Sequence, residues 1–156
     1  RLNRNLVNTS GVVVSASAGY AMLTRGGLSL FEFYATPSEG INDSEIEAAL
    51  KDEIAKIVND GVTNDELNRV KTGVIAGDVY QKDSVFSQGM LIGQLETMGY
   101  SHKLMDQYIK NIKKVTSKQI QNVAAKYLID DRLTVVTLDP QTIDPNHKSQ
   151  GKPHVH

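Results

Sequence analysis

Asp60-Gly61-Val62-Thr63-Asn64-Asp65-Glu66-Leu67-Asn68-Arg69-Val70-Lys71 reads as the end of one helix, a tight turn and the capped start of another. Gly61 suits the left-handed C′ position, where a Cβ would clash. Thr63 is placed to accept the free N–H three residues on, and Glu66 to reach back to the cap's own N–H. Asp65 and Glu66 also bring negative charge to the positive end of the helix dipole. Alone, this is an αα-turn without chemistry. What it belongs to is decided by the segments on either side.

Upstream, Leu2–Asn8 has the apolar spacing of a helix tail, with Leu2 and Leu6 on one side and Val7 at its edge, ended before Gly11. Gly11–Met22 turns to β character through Val12, Val13 and Val14. Arg25-Gly26-Gly27 is a turn signal, and Leu28–Thr36 is a second strand, so the two predict an antiparallel pair. Pro37–Gly40 breaks the pattern. Asn42 with Glu45 predicts a capped helix in which Ile46, Leu50, Ile54, Ile57 and Val58 face the core, while Glu47, Lys51, Asp52 and Lys56 face elsewhere.

Past the hinge, Leu67, Val70 and Val74 mark a second helix. Gly73 and Gly77 sit four apart in it, a spacing that suits close packing against another element; Lys71 and Asp78 argue against a membrane pairing. Asp83-Ser84 restarts a helix to about Met98, with Met90, Leu91, Leu95 and Met98 inward. After Gly99-Tyr100-Ser101, a helix carries Leu104, Tyr108, Ile109 and Ile112. Thr116 and Gln119 form a capping box for a short helix to Leu128. Leu133–Leu138 predicts a last strand, and the polar residues 141–156 a flexible tail.

The order β, β, several helices, β predicts an α+β fold: a two-layer sandwich with helices on one face of a mainly antiparallel sheet. A chain of 156 residues suits one domain, here 1–140 followed by the tail. At that length folding buries roughly 68–70% of the unfolded surface. The net charge of −1, with both signs interspersed, argues against nucleic acid. No apolar run approaches the roughly 18 residues of a membrane-spanning helix. With no cysteine, thiolate zinc sites and disulfides are excluded. The chain opens at Arg1 rather than Met, which reads as a processed product or a piece of something longer.

Chemistry is sparse. None of the four histidines, His102, His147, His154 and His156, has the spacing of a zinc-peptidase helix. His102, with Asp106 four residues on, is half a metal site at most and reads more simply as a solvated helix terminus. His154-Val155-His156 has no third ligand fixed beside it. There is no cysteine nucleophile, no Gly-x-Ser-x-Gly elbow and no phosphate-binding glycine loop. The pairs Asp43/Glu45, Asp65/Glu66 and Asp130/Asp131 sit at helix ends and turns, where capping and solvation explain them.

The ordered series Gly11–Ala18, Tyr34-Ala35-Thr36-Pro37, Asn42–Asn59, the hinge, Leu67–Gly73, Gly89–Gly93, Val115-Thr116 with Val123–Leu128, and Leu133–Pro140 resembles the C-terminal, non-catalytic domain of the insulinase/pitrilysin family of zinc metallopeptidases, in its bacterial and mitochondrial-processing-peptidase-like branch. The resemblance runs from about Leu2 to Pro140. It implies a metallopeptidase-like fold of the processing-peptidase type, entered N-terminally truncated, without its first strand and part of its first helix. It implies a domain without metal ligands, inactive alone. Such a domain packs against a homologous zinc-bearing N-terminal domain or partner subunit to enclose an unfolded peptide substrate. The zinc site His-x-x-Glu-His belongs to that other half.

The family often keeps an Arg on a helix and a Tyr on the next strand, which hydrogen-bond substrate and the developing oxyanion. Those positions fall on Val7 and Val14, neither of which can donate. Arg4, one turn before Val7, is the candidate substrate-binding neighbour; its reading as a solvated surface residue stands beside this. A catalytically inactive parent, with this domain serving assembly or peptide binding, is the alternative, and an unrelated α+β binding module is a third reading. Relatives in this branch imply a bacterial periplasmic location, and a dimer is among the assemblies the family allows.

Overall fold

Val13 and Val14, the last two of three consecutive β-branched valines, open the first strand, β1 (Val13–Tyr20), which pairs antiparallel with β2 (Phe31–Pro37). In this computed structural model the described residues are 1–21 and 29–139.

 The register runs from Val13 opposite Pro37 to Tyr20 opposite Phe31, with an irregularity between Val13 and Ser15. That irregularity explains why Val13 and Ala16, three residues apart, are both buried, while Ser15 and Ser17 stay exposed. Pro37, which has no N–H to give to a ladder, stands at the end of its strand. The turn expected at Arg25-Gly26-Gly27, the strand ends at Met22 and Leu28, Pro140 and the 141–156 tail lie outside the described residues.

The inner face of the pair is covered from one side. A wide, π-type helix (Asn3–Thr9), in which the Ser10 N–H donates to the Asn5 carbonyl at 2.9 Å, brings Leu6 onto Val13 and Ala16. Helix α1 (Asp43–Asp60) brings Ile46, with Ala49 and Leu50 partly buried against the same cluster. This is the α+β arrangement expected, helices on one face of an antiparallel sheet. The capping box is present as expected: Asn42 accepts from the Glu45 N–H, and the Glu45 carboxylate accepts from the Asn42 N–H at 3.0 Å.

The remaining helices are α2 (Asn64–Lys82), α3 (Val85–Thr97), α4 (Leu104–Lys114) and α5 (Ser117–Tyr127), followed by one 3₁₀ turn (Asp130–Arg132). Ser84 caps α3, and Thr116 with Gln119 forms the expected box on α5. Alpha-helix α5 packs along α1 and closes its C-terminal end. Gln121 Nε2 donates to the carbonyls of Val58 (2.8 Å) and Asn59 (3.1 Å), two of the groups a helix end leaves without partners. The Ser117 hydroxyl donates to the Val62 carbonyl at 2.7 Å and accepts the Val62 N–H at 3.2 Å.

Three expectations are corrected. Leu133–Leu138 forms no strand: it has no ladder partner among the described residues, and Val136 and Leu138 are almost fully exposed. A run with β propensity becomes a strand only against an edge that can pair with it. Gly73 and Gly77 make no close approach, since a Cβ built on either meets nothing within 4 Å. Met90, expected inward, is exposed, because α3 turns only Leu95 fully into the interior.

Gly61 has φ +74° and ψ −153°, a backbone region that suits glycine almost alone, and its added Cβ would stand 3.2 Å from Ser117 Oγ. Gly61→Ala is therefore expected to destabilise the chain by about 1–3 kcal/mol in urea unfolding. Ser117→Ala, which removes both hydrogen bonds to Val62, is expected to cost about 1–2 kcal/mol by the same measurement. An unchanged urea midpoint in either variant would show that the hinge is not held this way.

Candidate functional site

The polar residues of this structure converge at the α1–α2 hinge. An open cleft of about 340 Å³ is lined by Arg1, Arg4 and Asn5 of the N-terminal segment, by Lys56 and Asp60 of α1, and by Gly61, Val62 and Thr63. Two of the lining residues, Asn5 and Lys56, are bonded to the Glu53 side chain of α1. That carboxylate is 2% exposed and is fully hydrogen-bonded, accepting from Asn5 Nδ2 at 2.8 Å and from the Lys56 ammonium. Burial pushes the Glu53 carboxyl up, but the bonds from Lys56 and Asn5, and the charges of Lys56 and Arg1, outweigh it and hold the group below its ordinary value.

Glu53 was not singled out in the sequence, although a signal was available. It lies seven residues after Ile46, two helical turns along the buried face. A carboxylate there needs a partner, and the partners come from the N-terminal segment and from the next turn of α1.

Glu66 corrects the expected capping box. Thr63 caps α2, accepting the Glu66 N–H at 3.2 Å. The Glu66 side chain does not reach back to the cap. It accepts Arg1 Nε at 3.0 Å and Arg1 Nη2 at 2.7 Å, a bidentate pair in which both side chains are about one-fifth exposed. A two-pronged guanidinium outcompetes a lone backbone N–H for the same carboxylate. The Arg1 bond, against an opposing push from burial, holds the Glu66 carboxyl below its ordinary value, and the Arg1 guanidinium is raised in turn.

The other sequence candidates are dispersed. Arg4 is exposed on the cleft wall, its Nε donating to Asn5 Oδ1 at 3.2 Å. Val7 is half-buried against the core cluster, and Val14 is 59% exposed on β1. Arg4 and Val7 thus serve different surroundings although one turn separates them. His102 is exposed at the α3–α4 turn, its Nδ1 2.7 Å from Glu96 Oε1, which also accepts the His102 backbone N–H at 2.9 Å. Those two bonds hold the Glu96 carboxyl below its ordinary value. His147, His154 and His156 lie outside the described residues. Among the described residues no group of three His, Cys, Asp or Glu side chains could hold a metal ion. The carboxylates Asp43 and Glu45 sit in the first turn of α1, and Asp130 pairs with Lys51 at 2.8 Å. The hydrogen bonds from Asp130 and then Glu47 push the Lys51 ammonium up to about 12.

Residues 1–74 match the family model of the Peptidase M16 inactive domain. Solved structures extend the likeness of fold. A protease from Helicobacter pylori is similar with a TM-score of 0.78 and 18% identity, over 84% of this chain and 31% of that one. The inactive peptidase domain of a proposed zinc protease from Bordetella parapertussis is similar with a TM-score of 0.75 and 16% identity, over 91% of this chain and 76% of that one. A proposed zinc protease from Bordetella pertussis Tohama I gives 0.75 and 15%, over 90% and 75%. No curated protein matches the chain. The resemblance to the C-terminal, inactive domain of the insulinase/pitrilysin peptidase family is borne out: the first 74 residues carry its pattern, and the fold continues through the rest. The chain spans about a third of the Helicobacter pylori protease, 31% of its length.

The two depressed carboxylates set an acid limit. A carboxyl whose folded value lies below its unfolded value contributes stability that is fully present above the unfolded value and is lost as pH falls through the folded one. Glu53 and Glu66 both shift downward from 4.5, so stability is expected to fall as pH drops below that value. Glu66→Gln is expected to lower stability at pH 7 by about 1 kcal/mol and to flatten the acid loss. Urea midpoints measured across the acid range check both, and an acid slope unchanged by the substitution would refute the assignment.

Proposed function

We propose that this chain is the non-catalytic C-terminal domain of a zinc-dependent metalloendopeptidase-like protein. It packs against a zinc-bearing N-terminal domain or partner subunit, and the two halves enclose an unfolded peptide. The single observation that carries this reading is the match of residues 1–74 to the inactive peptidase domain. The absence of the His-x-x-Glu-His pattern from the sequence agrees with it. In that arrangement this chain supplies walls and backbone positions, while the metal and the general base belong to the other half. Arg4, the cationic side chain on the cleft wall, is the residue assigned to the substrate: its free guanidinium nitrogens can donate to a peptide carbonyl. The periplasm is the compartment assigned to the protein, by the resemblance of its branch.

Val7 and Val14 favour a second reading. They stand where the family often keeps an Arg and a Tyr, and without those donors a substrate oxyanion loses two hydrogen bonds. The parent would then be catalytically inactive and would use this domain for assembly or peptide binding.

Purified alone, the chain is expected to hold no stoichiometric zinc and to cleave no unfolded peptide, as read by metal analysis and a fluorescent peptide assay. Joined to its zinc-bearing half, it is expected to cleave. Retained binding without cleavage would establish the scaffold reading, and tight stoichiometric zinc in this chain would overturn both. Arg4→Ala in the joined protein is expected to raise KM roughly tenfold or more, the scale of one charge-assisted hydrogen bond, with Arg4→Lys recovering part of it.

A further inference from the structure

Helix α3, Val85–Thr97, turns an apolar face to the outside. From Ser84 to Leu95 the chain has no charged residue, although 22% of its residues are charged. At about 100° per residue, Phe86, Gly89 and Gly93 fall within about 60° of one another around the helix, with Val85 and Met90 on the two flanks. Val85 is 83% exposed, Phe86 76% and Met90 49%. The opposite side of the helix is the one that packs. Ser87, Gln88 and Leu91 line a small space shared with α2 and with Met105 of α4, and Leu95 is buried. The apolar face is therefore turned away from both neighbouring helices.

Gly89 and Gly93 stand in the interior of the helix, where glycine weakens it. A Cβ built on either meets nothing within 4 Å, so no contact among the described residues needs their smallness. Beside Phe86 and Met90 they form two shallow seats. The four positions are related by a two-fold axis. In an antiparallel pair of α3 helices with the axis between Gly89 and Met90, Phe86 of one copy stands opposite Gly93 of the other, and Met90 opposite Gly89. Each pairing occurs twice, and each large side chain at the centre of the strip meets a glycine. A patch that fits itself in this way is what a C2 contact requires.

We propose that this face joins two copies of the chain, with α3 lying antiparallel on α3. The uncharged run opposes no charge to its own copy, and the glycines let the two backbones approach more closely than the usual interaxial distance of about 8–10 Å. The exposed parts of Val85, Phe86, Met90 and Ile92, with the glycine backbone, come to about 1,000 Å² over both copies, the threshold of a specific interface. The dimer is accordingly weak and reversible, with Kd about micromolar or higher. An extended peptide needs a groove or a strand edge, and a convex helix face offers neither. This inference does not depend on the peptidase reading.

The test is sedimentation equilibrium of the full chain from about 1 μM to 1 mM, a range that brackets such a Kd. A monomer–dimer equilibrium is expected. Phe86→Ala is expected to weaken it about tenfold or more, and Gly93→Leu, which fills the seat, about tenfold. Both positions are exposed, and circular dichroism confirms that the helices persist. Because the chain has no cysteine, introduced disulfides report the geometry. A Phe86→Cys chain mixed with a Gly93→Cys chain is expected to cross-link to it faster than either does to itself, since like positions stand about 10 Å apart along the axis, beyond disulfide reach. A monomer at every concentration, a dimer indifferent to both substitutions, or like-with-like disulfides at equal or greater rate overturns the proposal. A monomeric Phe86→Trp chain whose emission shifts to the blue only on joining a zinc-bearing half also overturns it, and assigns the face to that half.

Discussion

The closure of α1 by α5 is the constraint on which the rest of the structure depends. Helix ends leave carbonyls without partners, and here Gln121 takes those of Val58 and Asn59 while Ser117 takes both polar groups of Val62. Those bonds reach across more than fifty residues of chain. They set where α2 leaves the hinge, and they hold α5 against α1 through contacts that include little fully buried surface. Gly61 makes the geometry possible, because no other residue adopts its backbone angles at comparable cost.

The N-terminal segment locks to the same hinge through its own bonds. Arg1 grips Glu66 on α2, and Asn5 reaches Glu53 on α1. The hydrophobic contribution is concentrated further up, where Leu6, Val13, Ala16 and Ile46 meet. A small apolar core at the sheet and a polar lock at the hinge thus share the task of fixing one helix pair. The polar lock is directional in a way apolar packing is not, since each carboxylate is satisfied only by particular donors. Away from both, the surfaces of α2 and α3 keep Val70, Tyr80, Val85 and Phe86 exposed.

Much of this was legible locally. The capping residues Asn42, Thr63 and Thr116 announce their helices because a cap is satisfied within four residues. The valines at 12–14 announce a strand for steric reasons that need no partner. Leu133–Leu138 has the same propensity and forms no strand, since pairing is not a property of the run itself. Glu66 shows the limit most clearly. Its spacing from Thr63 fits a capping box, but Arg1, sixty-five residues earlier, offers a stronger bidentate partner. Of the cleft, Arg4 was recognisable as a candidate, whereas for Glu53 the sequence offers only its place on the buried face of α1, and its partner Asn5, forty-eight residues earlier, is supplied by the fold.

The sequence by itself determined the order of the first two strands and the helices after them, the caps that start those helices and the absence of a zinc-binding histidine pattern, because capping, chain stiffness and ligand identity are local chemistry. It also carried the family likeness, since that rests on the order of such local signals. Only the tertiary structure decided which carboxylate meets which cation, which glycine is required and which apolar faces are covered. Those outcomes depend on residues far apart in the chain competing for the same partner or the same space.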